Sequence, residues 1–169
     1  MITIIESGMT FGPFDPDRVY RIETSTVVKA RLSPSGIKVC EFVWRSPGEN
    51  VFLVEAKSTV PNKKTSPDAY NEFFTEIFEK FDNSLHIVAA GLSSRKPDLE
   101  REIRDVLSLN NLASAPKIYF YLVIPAIPDE FLPQFNDKLS IVLKRQCRIW
   151  NAEAKVLNER LARKQGLIQ

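Results

Sequence analysis

Short apolar runs dominate the first sixty residues of the chain, and apolar positions at helical spacing dominate the residues that follow. The segments "ITIIE", "RVYRIET", "TVVKARLS", "IKVCEFVW" and "VFLVEAKS" are rich in β-branched and aromatic residues and predict strands. Turn-forming sequences separate the last three of them, "SPSG" at residues 33–36 and "RSPGEN" at residues 45–50. We therefore expect "IKVCEFVW" and "VFLVEAKS" to form an antiparallel hairpin.

The helical spacing begins after Ser66. Ser66 followed by Pro67 predicts the start of a helix, and an aromatic stripe extends it to about residue 92. The stripe consists of Tyr70, Phe73, Phe74, Ile77, Phe78 and Phe81. A second helix is predicted over residues 97–108, and the apolar segment "IYFYLVIP" predicts a strand buried on both faces.

The C-terminal third is predicted to be mainly helical. Residues 133–145 have the pattern of an amphipathic helix, and "CRIW" predicts a short strand. Asn151 is expected to cap a final helix that ends near Gly166.

The order of these elements predicts an α/β fold with a mixed central sheet flanked by helices. Because no repeat, low-complexity tract or linker interrupts the chain, we expect a single domain over residues 1–169. Its core is expected at about residues 37–125, with C-terminal helices at residues 133–165.

Composition limits the class of protein. The chain is 44% hydrophobic and 26% charged, as is usual for folded, soluble domains. Cys40 and Cys147 match no metal-binding spacing and predict free thiols in a reducing compartment. Since no basic leader and no run of about eighteen apolar residues is present, we expect a cytoplasmic protein without membrane contact.

Candidate chemistry lies on the hairpin. Leu53, Glu55 and Lys57 share one face of an otherwise apolar strand, and a buried charge needs a partner or a ligand. A hairpin that turns near Gly48 would place Glu41 opposite Glu55. Two carboxylates suit Mg²⁺, with Mn²⁺ as an alternative, and Lys57 could orient a nucleophile or stabilise a transition-state phosphate.

These segments resemble the PD-(D/E)XK nuclease superfamily. The resemblance rests on "VCEFVW", "VFLVEAKS", the helix after them and "IYFYLVIP", and it spans roughly residues 37–125. It implies a restriction-endonuclease-like core in which Glu41 takes the first acidic position, where Asp is usual, Glu55 the second, and Lys57 the lysine. It further implies that the main-chain carbonyl of Ala56 is a metal ligand and that phosphodiester bonds are hydrolysed by a metal-bound water.

Basic residues predict contacts with nucleic acid. Lys63 and Lys64 follow the motif strand, and residues 144–164 carry seven basic side chains against two acidic ones, with Arg145 and Arg148 among them. The net charge of +2 gives no indication of its own, and a solvated helix face is the alternative for the basic segment.

Other enzyme classes find little support. The chain has no glycine-rich phosphate loop, and its single histidine, His86, lies in an apolar helical pattern that favours packing over catalysis. The sequence thus favours a Mg²⁺-dependent nuclease that acts on DNA, with RNA as the alternative substrate. The alternatives are a catalytically inactive module that binds nucleic acid or protein, and a subunit of a larger complex such as a defence system; a homodimer stays open.

Overall fold

The computed structural model describes residues 1–107 and 117–169. Its strands are β1 (Ile2–Glu6), β2 (Met9–Phe14), β3 (Val19–Tyr20), β4 (Phe42–Arg45), β5 (Val51–Ala56), β6 (Ile118–Val123) and β7 (Ala152–Leu157). Its α-helices are α1 (Pro67–Leu92), α2 (Pro97–Leu107), α3 (Leu132–Val142), α4 (Lys144–Trp150) and α5 (Glu159–Lys164). Residue 108, the end of the second predicted helix, lies outside the described residues.

Five strands form one mixed sheet in the order β3-β4-β5-β6-β7. The pairs β3–β4 and β4–β5 are antiparallel, whereas β5–β6 and β6–β7 are parallel. Parallel neighbours require a crossover, and helices lie between β5 and β6 and between β6 and β7 in the chain. The predicted α/β fold with a mixed sheet flanked by helices is confirmed.

The two faces of the sheet are covered differently. On one face, Leu53 and Phe120 pack with residues of α1, α2 and α3. On the other, Phe52 and Val54 pack with residues of β1, β2 and α5. All six residues of β5 are buried. Since Glu55 shares a face of the strand with Leu53, its carboxylate lies on the side of the sheet that packs against α1.

On the second face of the sheet, the hairpin of β1 and β2 contacts residues near the end of the chain. Phe11 forms a bridge with Ile168, and the Gly12 amide donates a hydrogen bond to the Leu167 carbonyl at 2.8 Å. Residues from both ends of the described chain therefore meet beneath the sheet, opposite α1.

Helix α1 has the predicted bounds and is the longest helix described, at 26 residues. Charged residues recur along its exposed positions. Within residues 1–107 and 117–169, no helix combines the length and apolar character needed to cross a membrane.

The segment "TVVKARLS" was predicted as a strand, and this is wrong. Residues Val28–Leu32 form a π-helical turn. The Ser25 hydroxyl accepts a hydrogen bond from the Val28 amide at 3.2 Å, and the Ser25 carbonyl accepts one from Lys29 at 3.0 Å. Val28 and Leu32 are four residues apart, so a helical turn directs both toward the core.

The predicted order of elements within residues 133–165 is also wrong, because the strand of that segment is β7 and not "CRIW". "CRIW" belongs to α4, and Asn151 ends that helix with φ 49° instead of beginning the next one. The final helix is capped by Asn158, whose side chain accepts a hydrogen bond from the Leu161 amide at 3.0 Å. The sheet consequently extends beyond residues 37–125, and residues 108–116 of that predicted core lie outside the described ones.

A tight contact between α1 and α2 generates a first prediction. A Cβ added at Gly91 would lie 2.6 Å from Ile103 Cδ1 and 3.2 Å from the Leu99 carbonyl oxygen. Gly91→Ala should therefore lower the free energy of unfolding by about 1 kcal/mol, since overpacking outweighs the gain in helix propensity. Urea denaturation measures the change.

Ile103→Val serves as the matched control, because it removes the clashing methyl group. The double variant Gly91→Ala/Ile103→Val should lose less stability than the sum of the two single losses. A Gly91→Ala protein as stable as the wild type would show that the helices separate without cost.

Candidate functional site

The hairpin brings the predicted carboxylates together. Phe42 pairs with Val54 and Val43 with Leu53, which is the register expected for a turn near residue 48. Glu41 precedes β4, and its amide donates a hydrogen bond to the Val54 carbonyl at 3.0 Å. Glu41 thus lies beside the end of β5 that carries Glu55.

Both carboxylates contact one ammonium group, which belongs to Lys80 of α1. Lys80 Nζ lies 2.7 Å from Glu55 Oε1 and 3.9 Å from Glu41 Oε1. Glu55 has no exposed surface, and the Lys80 and Glu41 side chains are 11% and 9% exposed. The centre of the site is therefore a buried cluster of two acids and one base.

Lys80 was not identified from the sequence. It lies on the buried face of α1 between Ile77 and Ser84, at positions where the helical pattern calls for apolar residues. The Ser84 hydroxyl donates to the Lys80 carbonyl at 2.7 Å and accepts from the Cys40 amide at 2.9 Å. Two polar residues within an apolar stripe were the available indication of a buried polar site.

Lys57 lies between this buried cluster and the surface. Its Nζ is 3.4 Å from Glu55 Oε1 and 2.9 Å from Glu76 Oε1 of α1, and its side chain is 27% exposed. The hydrogen bond from Lys57 holds the pKa of Glu76 below its ordinary value. Of the two lysines at Glu55, Lys57 is the more exposed to solvent.

A second acidic group adjoins Glu41. One carboxylate oxygen each of Glu6, Glu23 and Glu41 lies within 4.8 Å of the others. Glu23 comes from the short helical turn Ile22–Thr24, and Glu6 ends β1. Glu6 could not be identified from the sequence, because the docking of its hairpin is a tertiary contact that no local pattern encodes.

The Ala56 carbonyl, the predicted main-chain ligand, faces the same region. The Lys57 amide donates to Val123 of β6 at 3.0 Å, so the carbonyl of the same peptide is directed away from β6, toward the side of Glu41. Ser7, in the turn between β1 and β2, donates its hydroxyl hydrogen to this carbonyl at 3.0 Å. The second lone pair of the carbonyl is left for another partner.

Two oxygen atoms in the site lack hydrogen-bond partners among the described residues. They are Oε2 of Glu41 and Oε2 of Glu55, and both are buried. Buried carboxylate oxygens without a donor are costly, and a cation bound between them would remove that cost. The oxygen-rich donor set fits a hard divalent cation.

Burial dominates the proton affinity of both acids. Burial, a hydrogen bond with Glu23 and the charge of Glu55 raise the pKa of Glu41 to about 9. Burial also raises the pKa of Glu55, against the opposing effect of Lys80 and Lys57. Burial would lower the pKa of Lys80, but the charge and hydrogen bond of Glu55, together with the charges of Glu41 and Glu23, outweigh burial and hold that pKa above its ordinary value.

The predicted nucleic-acid contacts divide into two locations. Lys63 and Lys64 are exposed in the loop between β5 and α1, close in sequence to Lys57. Arg145 and Arg148 are exposed on α4, which packs against β7 at the far edge of the sheet. The described residues show no contact between either arginine and the carboxylates, and the lysine pair follows Lys57 by six and seven positions in the chain.

Comparison of the chain with protein-family models, with curated proteins and with solved structures finds no match. The resemblance to the PD-(D/E)XK nucleases thus depends on the sequence segments alone and stays a prediction.

The contact between Lys80 and Glu55 generates a second prediction. Lys80→Met should lower the free energy of unfolding by about 3 kcal/mol, because it leaves a fully buried carboxylate without its nearest counter-charge. Glu55→Gln/Lys80→Met should be more stable than Lys80→Met alone. Urea denaturation of the wild type, both single variants and the double variant gives the coupling energy, and additive losses would contradict the pairing.

The raised pKa of Glu41 generates a third prediction. Glu6, Glu23 and Glu55 face this carboxyl with like charge, and Lys80 opposes them. Between its ordinary value of 4.5 and its folded value of about 9, the folded protein retains a proton that the unfolded chain releases. The contribution of Glu41 to stability should therefore be largest below about pH 4.5 and decline by up to about 1.4 kcal/mol per pH unit across this window.

The control is Glu41→Gln, which carries no charge at any pH. Its denaturation midpoint should depend less on pH than that of the wild type, and its advantage should grow from pH 5 to pH 8. Parallel pH profiles for the two proteins would show that Glu41 is ionised throughout.

Proposed function

We propose that this protein is a metal-dependent nuclease that hydrolyses phosphodiester bonds, with DNA as the favoured substrate. The observation that carries the proposal is the pair of buried carboxylates, Glu41 and Glu55, each with one oxygen that lacks a partner among the described residues. They occur beside a partly exposed lysine at one end of the sheet.

The metal would be held by Glu41, Glu55 and the carbonyl of Ala56, with Mg²⁺ favoured and Mn²⁺ as an alternative. Hard oxygen donors of this kind suit both ions. When bound, such an ion lowers the pKa of a coordinated water and offsets negative charge on a phosphate. Glu23 and Glu6, within 4.8 Å of Glu41, add negative charge that favours a cation at this point.

The two lysines have different tasks in the proposed mechanism. Lys57 is partly exposed and donates a hydrogen bond to Glu76, so its ammonium can be shared with a substrate phosphate and stabilise charge that develops there. Lys80 is buried against Glu55, where it favours the ionised carboxylate that a metal requires. Lys57 is thus proposed as a catalytic residue and Lys80 as a positioning residue.

The arrangement of strands supports a restriction-endonuclease-like core. An antiparallel hairpin carries the acidic residues, and a helical crossover then leads to a parallel strand beside β5. This is the order in which the resembling segments "VCEFVW", "VFLVEAKS" and "IYFYLVIP" follow one another.

The proposal is tested by calorimetric titration of Mg²⁺ and Mn²⁺ into the wild type, Glu55→Gln and Glu72→Gln. Glu72 is an exposed acid on α1, so its variant controls for loss of negative charge. The wild type and Glu72→Gln should bind metal and cleave a mixture of single- and double-stranded DNA, and Glu55→Gln should do neither. Equal metal binding by all three proteins would overturn the site.

A further variant separates binding from chemistry. Lys57→Ala should retain metal binding, because it removes no oxygen ligand, but its cleavage rate should fall by about a hundredfold or more. Cleavage by Lys57→Ala at the wild-type rate would remove Lys57 from the mechanism.

A second candidate function, a non-catalytic nucleic-acid-binding module, is favoured by one observation. The Lys80 ammonium already contacts Glu55 at 2.7 Å and Glu41 at 3.9 Å, as a substitute for a metal would. In that case the wild type would bind DNA equally well with and without divalent metal and would cleave none of it. The same titration and cleavage assays distinguish the two functions.

A further inference from the structure

A groove opens beside the carboxylate site, at the ends of β5 and β6. Its volume is about 870 Å³, in the upper part of the range of about 300–1,000 Å³ typical of ligand sites. It is bounded by the loop after β5, the first turn of α1 and the segment that leads from β6 into α3. The loop begins at Ser58, the residue after Lys57, so the lining of the groove starts one residue beyond the proposed catalytic lysine.

The walls of the groove are aromatic and aliphatic. Phe131 is 46% exposed at the start of α3, a high fraction for a large apolar side chain. Tyr70 and Phe135 form part of the wall, with ring centroids 6.3 Å apart. Val60 and Ile127 complete the apolar surface.

The charge of the lining is positive. Lys63 and Lys64 line the groove, and none of the described residues that line it carries a carboxylate. The Asn62 side chain accepts a hydrogen bond from the Lys64 amide at 2.8 Å and holds the loop that carries both lysines. Two cations beside exposed aromatic surface fit a ligand that presents phosphates and flat apolar rings together.

We propose that this groove binds single-stranded DNA, with bases against Phe131 and phosphates against Lys63 and Lys64, and that it leads the strand to the carboxylates. The role of the groove in delivering DNA to the carboxylates rests on the proposed nuclease function. Unpaired bases expose the faces that stack on aromatic side chains, whereas a duplex conceals them. A duplex would gain from the lysines but not from the apolar walls.

The apolar lining favours DNA over RNA. An RNA strand would place 2′-hydroxyl groups against surfaces such as Val60, Ile127 and Phe131, where each hydroxyl would lose hydrogen bonds to water. Deoxyribose carries no such cost.

The test measures binding by fluorescence anisotropy of a labelled oligothymidylate of about twelve residues, in EDTA and on the Glu55→Gln background. The duplex with oligoadenylate and an oligouridylate of equal length are the comparison ligands. Oligothymidylate should bind tightest of the three.

Adding Phe131→Ala to this background should weaken the binding of oligothymidylate about tenfold. Adding Lys63→Ala/Lys64→Ala should reduce the slope of log affinity against log salt by about 1.4.

Controls are Ile141→Ala, an exposed apolar residue on α3, and Lys29→Ala, an exposed lysine of the turn Val28–Leu32. Neither lines the groove, so binding should be unchanged. Thermal unfolding of each variant verifies that the fold is retained.

Duplex binding as tight as single-strand binding, tighter binding of oligouridylate, or wild-type affinity in Phe131→Ala would each overturn the proposal. Because EDTA prevents cleavage, failure of the nuclease proposal leaves this measurement intact. Conversely, Glu55-dependent cleavage that is unaffected by the Phe131 and lysine substitutions would reject the groove while retaining the nuclease.

Discussion

The ion pair between Glu55 and Lys80 constrains the rest of the structure. Glu55 lies in a strand whose six residues are all buried, and an isolated carboxylate there would cost several kcal/mol. The ammonium of Lys80, 2.7 Å away, compensates this cost only if α1 crosses the sheet at one position along its axis. The hydrogen bonds of Ser84 one turn further along α1 fix the same alignment through Cys40. A helix and a hairpin that are remote in sequence are thereby aligned by polar contacts within an otherwise apolar interface.

The same ion pair gives the site an enclosed side and a side that faces the surface. One lysine is enclosed and the other reaches the surface, although both lie within 3.4 Å of a single carboxylate oxygen. Glu76 holds the outer lysine from the helix side. Lys80 therefore compensates the buried acids in the interior. The ammonium of Lys57 is accessible at the rim, near the groove whose lining begins at Ser58.

The sequence was most informative where structure is local. The proximity of Glu41 and Glu55 could be predicted because a tight hairpin relates residues on either side of one turn, and α1 could be bounded by its first-turn proline and aromatic stripe. Lys80, Glu6 and Ser7 could not, since their approach depends on how α1 and the first hairpin dock onto the sheet. The error at Asn151 has a physical cause as well, because asparagine suits both the start of a helix and the left-handed conformation that ends one.

The pairing of the first hairpin with residues 167 and 168 affects when the site can form. Glu6 and Ser7 reach Glu41 and the Ala56 carbonyl from a hairpin that is held in part by Leu167 and Ile168. Ribosomes deliver the hairpin early and these two residues about 160 positions later, at about 5–20 residues per second. During synthesis the two central acids can pair with Lys80 well before the outer wall of the site is held in place. The outer wall of the site therefore depends on contacts between residues far apart in sequence, whereas the pairing of Glu55 with Lys80 spans 25 positions.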